Sequence, residues 1–418
     1  MSATPDQEFF ASLALRHCPG LGPHRIAALL RACGTAYAAV REAASWNARG
    51  LAGPKISHAF RHEAWRPGAE AEYRAARAAR MERLTWDDPR YPARLRELPD
   101  PPALLYYQGD AGLLASPAVA VVGARACTNM GLRAAEIIST GLSRLGVTVV
   151  SGLAEGIDRQ AHLGGLSGPG SSIAVLGAGL DQDYPPRNAD LREVLNKRGL
   201  VVTEFGPGVE PRPGHFPVRN RLISGLSLGV VVAEAAAKSG SLITARLALE
   251  QGREVFALPG PLGQPTFVGC LDLLKQGAIL VETAEDILEA LRRPLREALG
   301  DLPGPSAEFE PPDLPPARFP EALRPVPRPV RAAGRPRPPL PAVRPAPEPP
   351  ADLPPLERRL LETLRRERRT HIDELCRLLE LGSAEVGSAL LLLEMKSLVR
   401  QWPGMNYTLF EDEEPYGS

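Results

Sequence analysis

The sequence predicts an α/β protein built on an extended Rossmann-like, doubly wound sheet, with a helical N-terminal domain and a C-terminal winged-helix domain. From about residue 118, short apolar runs alternate with longer helical patterns, which is typical of parallel strands covered by helices on both faces. A proline-dense stretch then separates this region from a short helical one. We therefore expect four segments, at residues 1–109, 110–295, 296–354 and 355–412.

The first segment is predicted to be a helical domain, SAM-like or helix-hairpin-helix-like, with a connector, and it contains one turn of interest. The run HCPGLGPHRIAALLRACG places Gly20 and Gly22 between two helical patterns and resembles half of a helix-hairpin-helix element. Such a turn can offer backbone N–H groups to a DNA phosphate. A plain turn in a helical bundle explains the same residues, and both interpretations remain open.

The central segment contains seven apolar runs of strand length. They are AVAVV, VTVV, SIAVL, LVVTE, GVVVAE, EVFAL and AILVE. Short runs of this kind, separated by helical patterns, indicate parallel strands that are buried on both faces. Ligands of a doubly wound sheet bind beyond the carboxyl ends of its strands, so the residues after each run are candidates for a binding site.

The third segment is predicted to be an extended tether because it is dense in proline. It carries six arginines with no acidic residue between them: Arg324, Arg328, Arg331, Arg335, Arg337 and Arg344. These side chains could touch phosphates or the acidic face of a partner. A soluble spacer is the simpler alternative.

The last segment has the element order of a winged helix. Three amphipathic runs, LERRLLETLRRE, HIDELCRLLEL and SAEVGSALLLLEMKSLV, precede RQWPGMNYTL, which predicts a strand, a turn and a strand. The third helix would normally read DNA, but its ALLLLEMK stretch has few side chains that contact base edges. This composition favours a contact with protein.

Composition excludes several classes of protein. Lys and Arg number 49 and Asp and Glu also number 49, so any nucleic-acid site must be a local patch. The five cysteines are scattered singly, which predicts neither disulfides nor a zinc site. The N-terminus lacks the pattern of a signal peptide and no apolar run is long enough to span a bilayer, so we expect a cytoplasmic protein without membrane contact.

The first strand end of the central segment has the residues of an anion-binding turn. In VAVVGARACTNMG, Gly123 permits a close turn, Arg125 reaches outward, and Thr128 or Asn129 can cap the next helix. Free N–H groups at such a helix start favour an anion. The turn does not match G-x-G-x-x-G, which argues against a dinucleotide.

The second strand ends in Ser151 and Gly152, where a dinucleotide site would have an acidic residue for the ribose. Asp158 and His162 follow, one helical turn apart, so a hydrolytic triad with Ser151 is conceivable. The G-x-S-x-G elbow of such a serine is absent, and helix capping with local hydrogen bonds explains all three side chains. We therefore predict no catalytic residue, no cofactor and no metal.

The remaining strand ends place cations among small residues. These candidates are Gly177, Gly179, Phe216, Arg219, Asn220, Arg221, Lys238, Ser239 and Gly240. Arginine can grip phosphate with two hydrogen bonds and stack on a base, and lysine supplies a mobile charge, so the mixture suits a flexible polyanion. Phe216 would supply a stacking surface. Alternatively, Arg219 or Arg221 pairs with an internal carboxylate such as Glu204 or Glu234.

Six motifs in this order resemble the DNA-processing protein A family (DprA, also called Smf). They are VVGARACTNMG, SGLAEGIDRQAH, SIAVLGAGLDQDYP, FPVRNRLISGLS, EAAAKSGSLITA and VFALPG, and they span roughly residues 115–285. The resemblance implies single-stranded DNA binding without sequence specificity, a homodimer formed through the Rossmann-like domain, and loading of the recombinase RecA during natural transformation. It also implies the three-domain layout.

The resemblance assigns roles to particular residues. The family's DNA-contacting arginine falls on Arg125, its Phe-Pro-x-Arg-Asn-Arg segment on residues 216–221 and its Lys-Ser-Gly turn on residues 238–240. This chain departs from the pattern at Ala124, at Cys270 and Leu271, and at the missing lysine before Phe216, for which Arg212 or His215 could substitute.

Two other functions fit parts of the sequence. A nucleotide phosphoribohydrolase resembling the LOG family would share a related sheet, but its Pro-Gly-Gly-x-Gly-Thr-x-x-Glu motif is absent. An adaptor would act through the terminal domains, with the sheet as a dimeric platform. Substituting Arg125 and Lys238 separates these hypotheses, because phosphate contacts determine how binding depends on salt.

Overall fold

The computed structural model describes residues 3–261, 263–299, 312–317, 353–367, 370–396, 398–402 and 406–409. Contacts divide the chain into two compact units, residues 1–328 and 329–418. Most of the predicted tether at 296–354, including its six arginines, lies outside the described residues.

Five helices open the first unit. They are α1 (Pro5–His17), α2 (Pro23–Cys33), α3 (Ala36–Arg41), α4 (Pro54–Arg61) and α5 (Arg66–Ala78). The predicted turn lies between α1 and α2, where Gly20 has a φ of +78° and Gly22 is the N-cap residue of α2. Pro23 occupies the first helical position, where its missing N–H costs no hydrogen bond.

A nine-stranded sheet forms the centre of the first unit, in the order β1-β2-β6-β5-β4-β3-β7-β8-β9. The strands are β1 (Glu82–Thr85), β2 (Leu104–Gly109), β3 (Ala118–Val122), β4 (Thr148–Ser151), β5 (Ser172–Val175), β6 (Leu200–Thr203), β7 (Gly229–Val232), β8 (Glu254–Ala257) and β9 (Ile279–Leu280). Strands β3 to β9 are parallel, and each overlaps one of the seven predicted apolar runs. The predicted doubly wound sheet is confirmed.

The first segment, predicted as a helical domain with a connector, also contains strands β1 and β2. Strand β2 pairs antiparallel with both β1 and β6, so residues 82–109 extend the central sheet. Leu84 and Tyr106 are completely buried, in the same hydrophobic core as the helices before them. A boundary at residue 109 therefore does not separate two compact units, because the sheet runs across it.

The remaining helices of the first unit cover both faces of the sheet. They are α6 (Ala93–Arg96), α7 (Asn129–Arg144), α8 (Ile157–Leu166), α9 (Ala189–Arg198), α10 (His215–Leu226), α11 (Ser241–Glu250), α12 (Val268–Lys275), α13 (Ala284–Ala290) and α14 (Arg292–Leu299). Alternate residues of β3 face opposite cores, with Val119 and Val121 in one and Ala120 and Val122 in the other. This two-sided burial explains why the run has no polar alternation.

The second unit is the predicted winged helix. Its elements are α15 (Pro355–Glu367), β10 (Thr370–His371), α16 (Ile372–Leu379), α17 (Ser383–Met395), β11 (Val399–Trp402) and β12 (Asn406–Leu409). The strands pair in the order β10-β12-β11. Leu360, Leu375, Leu390 and Val399 are fully buried, so each helix and the wing contribute to one core. Across the described ranges of both units, no helix has the length and hydrophobicity needed to cross a bilayer.

Candidate nucleic-acid interface

The strand order reverses at β3, which has β4 on one side and β7 on the other. In an open sheet, such a switch point opens a crevice at the carboxyl ends of the strands. A groove with a volume of about 470 Å³ lies there, between the turns that follow β3 and β7 and the first turns of α10 and α11. We call it the switch-point groove; residues 122–126 and 238–241, Phe216, Arg219 and Asn220 line it.

Arg125 and Phe216 form one wall of this groove. The guanidinium carbon of Arg125 lies 5.2 Å from the centroid of the Phe216 ring, within range of a cation–π contact. Arg125 is exposed, and its side chain has no hydrogen bond or ion pair with any other residue that the structure describes. Its charge is therefore available to a ligand.

Lys238 lies on the opposite wall, in the turn that follows β7. Its side chain is exposed and has no ion-pair partner in the described part of the chain. The neighbouring Ser239 hydroxyl lies 2.7 Å from the Ser241 hydroxyl, and Gly240 is the N-cap residue of α11. This wall thus presents a mobile cation beside small polar groups.

Arg219 forms the floor of the groove and is buried. Its Nη1 donates to the carbonyls of Gly152, at 2.6 Å, and Val175, and its Nε donates to Asn220 Oδ1 at 3.2 Å. Nη2 has no hydrogen-bond partner among the described residues. Burial lowers the pKa of Arg219 to about 10, so the side chain is still charged at neutral pH.

Asp158 is the carboxylate that lines the groove beside these cations. Its Oδ2 accepts hydrogen bonds from the N–H groups of Gly152 and Ala154, at 3.2 and 3.4 Å. Burial raises the pKa of Asp158, against the attraction of Arg219. With Arg125, Arg219 and Lys238 opposed by this single carboxylate, the lining is net positive and suits an anionic ligand.

A smaller cavity of about 40 Å³ adjoins the groove behind Phe216. Tyr184 lines it, with its ring centroid 5.7 Å from that of Phe216 and an angle of 34° between the rings. The sequence prediction missed Tyr184, although the residue closely follows the third strand end. The two rings and Arg125 provide adjacent surfaces on which flat groups can stack.

Comparison with known proteins gives the family. The model of DNA recombination-mediator protein A matches residues 82–292, and the model of the DprA winged helix domain matches residues 344–405. The chain belongs to the DNA recombination-mediator protein A family. It is thus a DNA-processing protein.

Individual members of the family are similar over long stretches. Protein Smf of Synechocystis is 40% identical over 328 residues, covering 78% of this chain and 79% of that protein. DNA processing protein DprA of Streptococcus pneumoniae is 48% identical over 198 residues, covering 47% of this chain and 70% of that protein. The X-ray structure of the S. pneumoniae DprA aligns with a TM-score of 0.60 and 36% identity, over 69% of this chain and 98% of that one.

Arg221, although part of the segment that resembles the family's motif, lies outside the switch-point groove. Its guanidinium pairs with Glu204 and donates to the Asp100 carbonyl at 2.7 Å, and its side chain is only 8% exposed. The alternative of an internal ion pair therefore holds for Arg221. Arg219, by contrast, faces the groove.

Thr128 and Glu234 correct the expectation of a free anion site at the start of α7. The Thr128 N–H donates to the Glu234 carboxylate, at 3.0 and 3.1 Å to its two oxygens, and the Thr128 hydroxyl donates to Oε2 at 2.9 Å. Glu234 is completely buried, and Thr128 also caps the helix by accepting from Gly131. The anion at this helix start is the protein's own carboxylate.

The glycines of the predicted site make room for protein atoms. A Cβ on Gly123 would lie 2.6 Å from Ile157, one on Gly152 would lie 2.5 Å from Arg219, and one on Gly177 would lie 3.0 Å from the Phe216 ring. Gly179 does not line the groove, because its N–H donates to Val209 in a neighbouring loop. Gly177 and Gly179, at which the sequence predicted close approach of a ligand backbone, thus also pack closely against protein atoms.

Ser151, Asp158 and His162 do not form a triad. The buried Ser151 hydroxyl donates to the Val121 carbonyl at 2.7 Å, and His162 Nε2 accepts from the Leu153 N–H at 3.1 Å. Burial lowers the pKa of His162 to about 3, so the ring is neutral at physiological pH. These groups hold the turn after β4 in place, as expected from the sequence.

The positions that could replace the family's missing lysine lie outside the groove. The His215 ring stacks on Phe205, with a centroid distance of 4.5 Å, and neither His215 nor the exposed Arg212 lines the groove. In the ranges that the structure describes, no cluster of three or more His, Cys, Asp or Glu could hold a metal ion.

Proposed function

We propose that this protein binds single-stranded DNA in the switch-point groove without cutting it. Backbone phosphates would lie against Arg125 and Lys238, and bases would stack on Phe216 and Tyr184. The observation that carries the proposal is the convergence of two exposed cations, without partners among the described residues, on one groove beside an aromatic ring.

The other predicted site residues divide into three groups under this proposal. Arg219 Nη2, Asn220 and the Ser239–Gly240 turn line the groove and would supply further polar contacts to the strand. Gly123, Gly152 and Gly177 shape its surface through packing. Four residues hold the fold without meeting the strand: Thr128, Ser151, Gly179 and Arg221.

Single strands should be preferred over duplex, with little dependence on base sequence. The proposed contacts are guanidinium, ammonium and aromatic groups, which read phosphate and base faces rather than base edges. Bases in a duplex are already stacked on one another and cannot lie on Phe216. A strong preference for one oligonucleotide sequence would contradict this proposal.

The direct test is equilibrium binding of a labelled single-stranded oligonucleotide to the full chain across a salt series. Arg125→Ala and Lys238→Ala should each weaken binding, and the salt dependence of log K should decrease by about 0.7 for each phosphate that the variant no longer neutralises. Arg144→Ala and Lys197→Ala serve as matched controls. These two exposed cations lie in the helix ends that lead into β4 and β6, at the opposite edge of the sheet.

Two outcomes would reject the groove as the DNA site. In one, the Arg125→Ala/Lys238→Ala double variant binds with unchanged affinity and salt dependence. In the other, the control variants lose as much affinity as the groove variants. The first result would favour an adaptor that acts through the terminal domains, and the second would show that the groove cations contribute no more to binding than other exposed charges.

We further propose that the protein protects incoming DNA and loads RecA onto it, as a cytoplasmic homodimer joined through the Rossmann-like domain, in natural transformation and recombination. Membership of a recombination-mediator family supports this role. The test is the rate of RecA filament assembly on DNA already coated by a single-strand-binding protein. The wild-type chain should shorten the lag and the double variant should not; equal lags would contradict RecA loading through this groove.

A further inference from the structure

Exposed arginines cluster on the first helix of the winged-helix unit. Arg358, Arg359, Arg365 and Arg366 of α15 are all exposed. The buried Glu357 of the same helix does not offset them at the surface, because Lys396 Nζ binds its carboxylate at 2.7 Å. Helix α15 therefore presents guanidinium groups along its solvent-facing side.

Helix α17, at the usual position of a DNA-reading helix, has the opposite character. Its sequence SAEVGSALLLLEM contains no Lys or Arg. Leu391 and Leu392 are 59% and 48% exposed, and Glu385 is also exposed. An apolar and acidic surface cannot neutralise DNA phosphates, so α17 is a poor candidate for contacting nucleic acid.

A cleft of about 290 Å³ lies between α15 and α16, with Arg359 and Arg366 in its wall. The two arginines are seven residues apart, which is two helical turns or about 10 Å along one face. Arg359 Nη2 has one long hydrogen bond, 3.5 Å to the Leu379 carbonyl. The Arg366 side chain has no hydrogen bond or ion pair with any residue that the structure describes.

The cleft combines these charges with an apolar floor. Leu378, which is 50% exposed, and Leu379 line it opposite the arginines. Thr363 lies between the arginines and its hydroxyl donates to the Arg359 carbonyl at 2.9 Å. Glu362 partly offsets the two guanidinium groups, so binding here should be weak and sensitive to salt.

We propose that α15 is a second phosphate-binding surface, which contacts the backbone of nucleic acid through Arg359 and Arg366. Sugars would lie against Leu378. The winged helix would thus meet nucleic acid with its first helix and leave the apolar face of α17 exposed. This inference goes beyond the proposed function of the switch-point groove and does not depend on it.

The experiment uses the full chain carrying Arg125→Ala and Lys238→Ala, so that binding by the groove does not mask a weaker site. Labelled single-stranded and duplex oligonucleotides of equal length are titrated across a salt series that starts at low ionic strength. Adding Arg359→Ala and Arg366→Ala should reduce the residual affinity. For the single strand, the slope of log K against log salt concentration should decrease in magnitude by about 0.7 for each phosphate that the protein no longer neutralises. The affinities for the single-stranded and the duplex oligonucleotide show which of the two forms of nucleic acid the surface prefers.

Two control variants distinguish binding by α15 from a general effect of positive charge and from binding by α17. Arg377→Ala with Lys275→Ala removes two other exposed cations and should leave the residual affinity unchanged. Leu391→Ser with Leu392→Ser alters the α17 surface and should also leave it unchanged. Thermal unfolding followed by circular dichroism checks that each variant remains folded.

Several outcomes would overturn the proposal. In the first, the Arg125→Ala/Lys238→Ala chain shows no residual binding at low salt. In the second, adding Arg359→Ala and Arg366→Ala to that chain leaves its binding unchanged. In the third, adding Leu391→Ser and Leu392→Ser abolishes the binding instead. If Arg359→Ala and Arg366→Ala weakened the binding of poly-glutamate but left the affinity for nucleic acid unchanged, the surface would be a binding site for an acidic protein. Failure of the groove itself is a separate result, seen when Arg125→Ala/Lys238→Ala leaves wild-type affinity intact.

Discussion

Arg219 and Arg221 show how two similar residues in one motif acquire different roles. They are two positions apart in α10, and because a helix turns by about 100° per residue, their side chains leave it in nearly opposite directions. One direction leads to the switch-point groove, and the other leads to Glu204. The motif alone specifies cations but does not specify which of them reaches a ligand.

Replacing Arg221 should therefore affect stability rather than DNA binding. In Arg221→Ala, Glu204 would remain buried without its cation, and removal of one partner of a buried ion pair costs about 3–5 kcal/mol. Chemical denaturation should show this decrease in the free energy of unfolding. Below the unfolding transition, the dissociation constant for single-stranded DNA should remain that of the wild type.

Arg212→Ala is the matched control, since Arg212 is exposed in the preceding loop. It should leave stability unchanged. If Arg221→Ala were as stable as the wild type but bound DNA poorly, Arg221 would have to contact the strand.

The N-terminal helices are joined to the sheet by a buried carboxylate. Glu72 of α5 accepts hydrogen bonds from Arg16 of α1 at 2.5 Å and from Tyr106 of β2 at 2.8 Å, and its other oxygen lies 2.6 Å from His17 Nε2. Burial alone would raise the pKa of Glu72, but Arg16, His17 and Tyr106 outweigh it and bring the pKa down to about 2. Three elements are thus held together by one ionised side chain.

This pKa predicts a specific loss of stability in acid. A carboxyl group whose pKa is lower in the folded state than its usual 4.5 stabilises the fold above pH 4.5, and this contribution disappears as the pH falls toward 2. The shift corresponds to about 3 kcal/mol. Urea denaturation at several pH values should show the decrease in the wild type.

Glu72→Gln should be less stable than the wild type at neutral pH and should show a smaller loss between pH 4.5 and 2. Glu250→Gln, at an exposed position in α11, is the control and should follow the wild-type curve. An unchanged acid profile in Glu72→Gln would assign the loss to other carboxylates.

At the level of the complete chain, the first unit has a core that crosses the expected domain boundary. Tyr106 of β2 and Leu84 of β1 are fully buried in the same cluster as Leu13 of α1 and Val201 of β6. A Rossmann-like sheet taken alone would expose β6 as an edge strand and uncover these apolar side chains. The helical segment is thus part of one folding unit with the sheet.

A fragment of residues 110–295 should consequently fold poorly, whereas residues 1–317 should fold like the intact first unit. The longer fragment keeps β1, β2 and the 312–317 segment, whose Pro316 carbonyl accepts from Arg159 Nη2 at 3.2 Å. Thermal unfolding should be cooperative for 1–317 and broad, or at a lower temperature, for 110–295. Equal cooperative transitions would show that β1 and β2 are dispensable.

Much of the architecture follows from local patterns in the chain. Apolar runs of strand length predicted the seven parallel strands, amphipathic runs predicted the winged helix, and the rule that ligands bind at the carboxyl ends of strands placed Arg125, Phe216 and Lys238 together. These features can be predicted because burial imposes a pattern on neighbouring residues.

Other features depend on partners that are distant in the chain. Strand β2 pairs with β6, and Arg221 forms an ion pair with Glu204. At the start of α7, Thr128 is hydrogen-bonded to Glu234, which follows β7. No local sequence pattern indicates such pairings, because the type of a charged or polar residue does not show whether its side chain contacts a carboxylate or water. The sequence therefore specified the layers of the fold and the edge that carries the site, and long-range packing selected which of the site's charges remain available to a ligand.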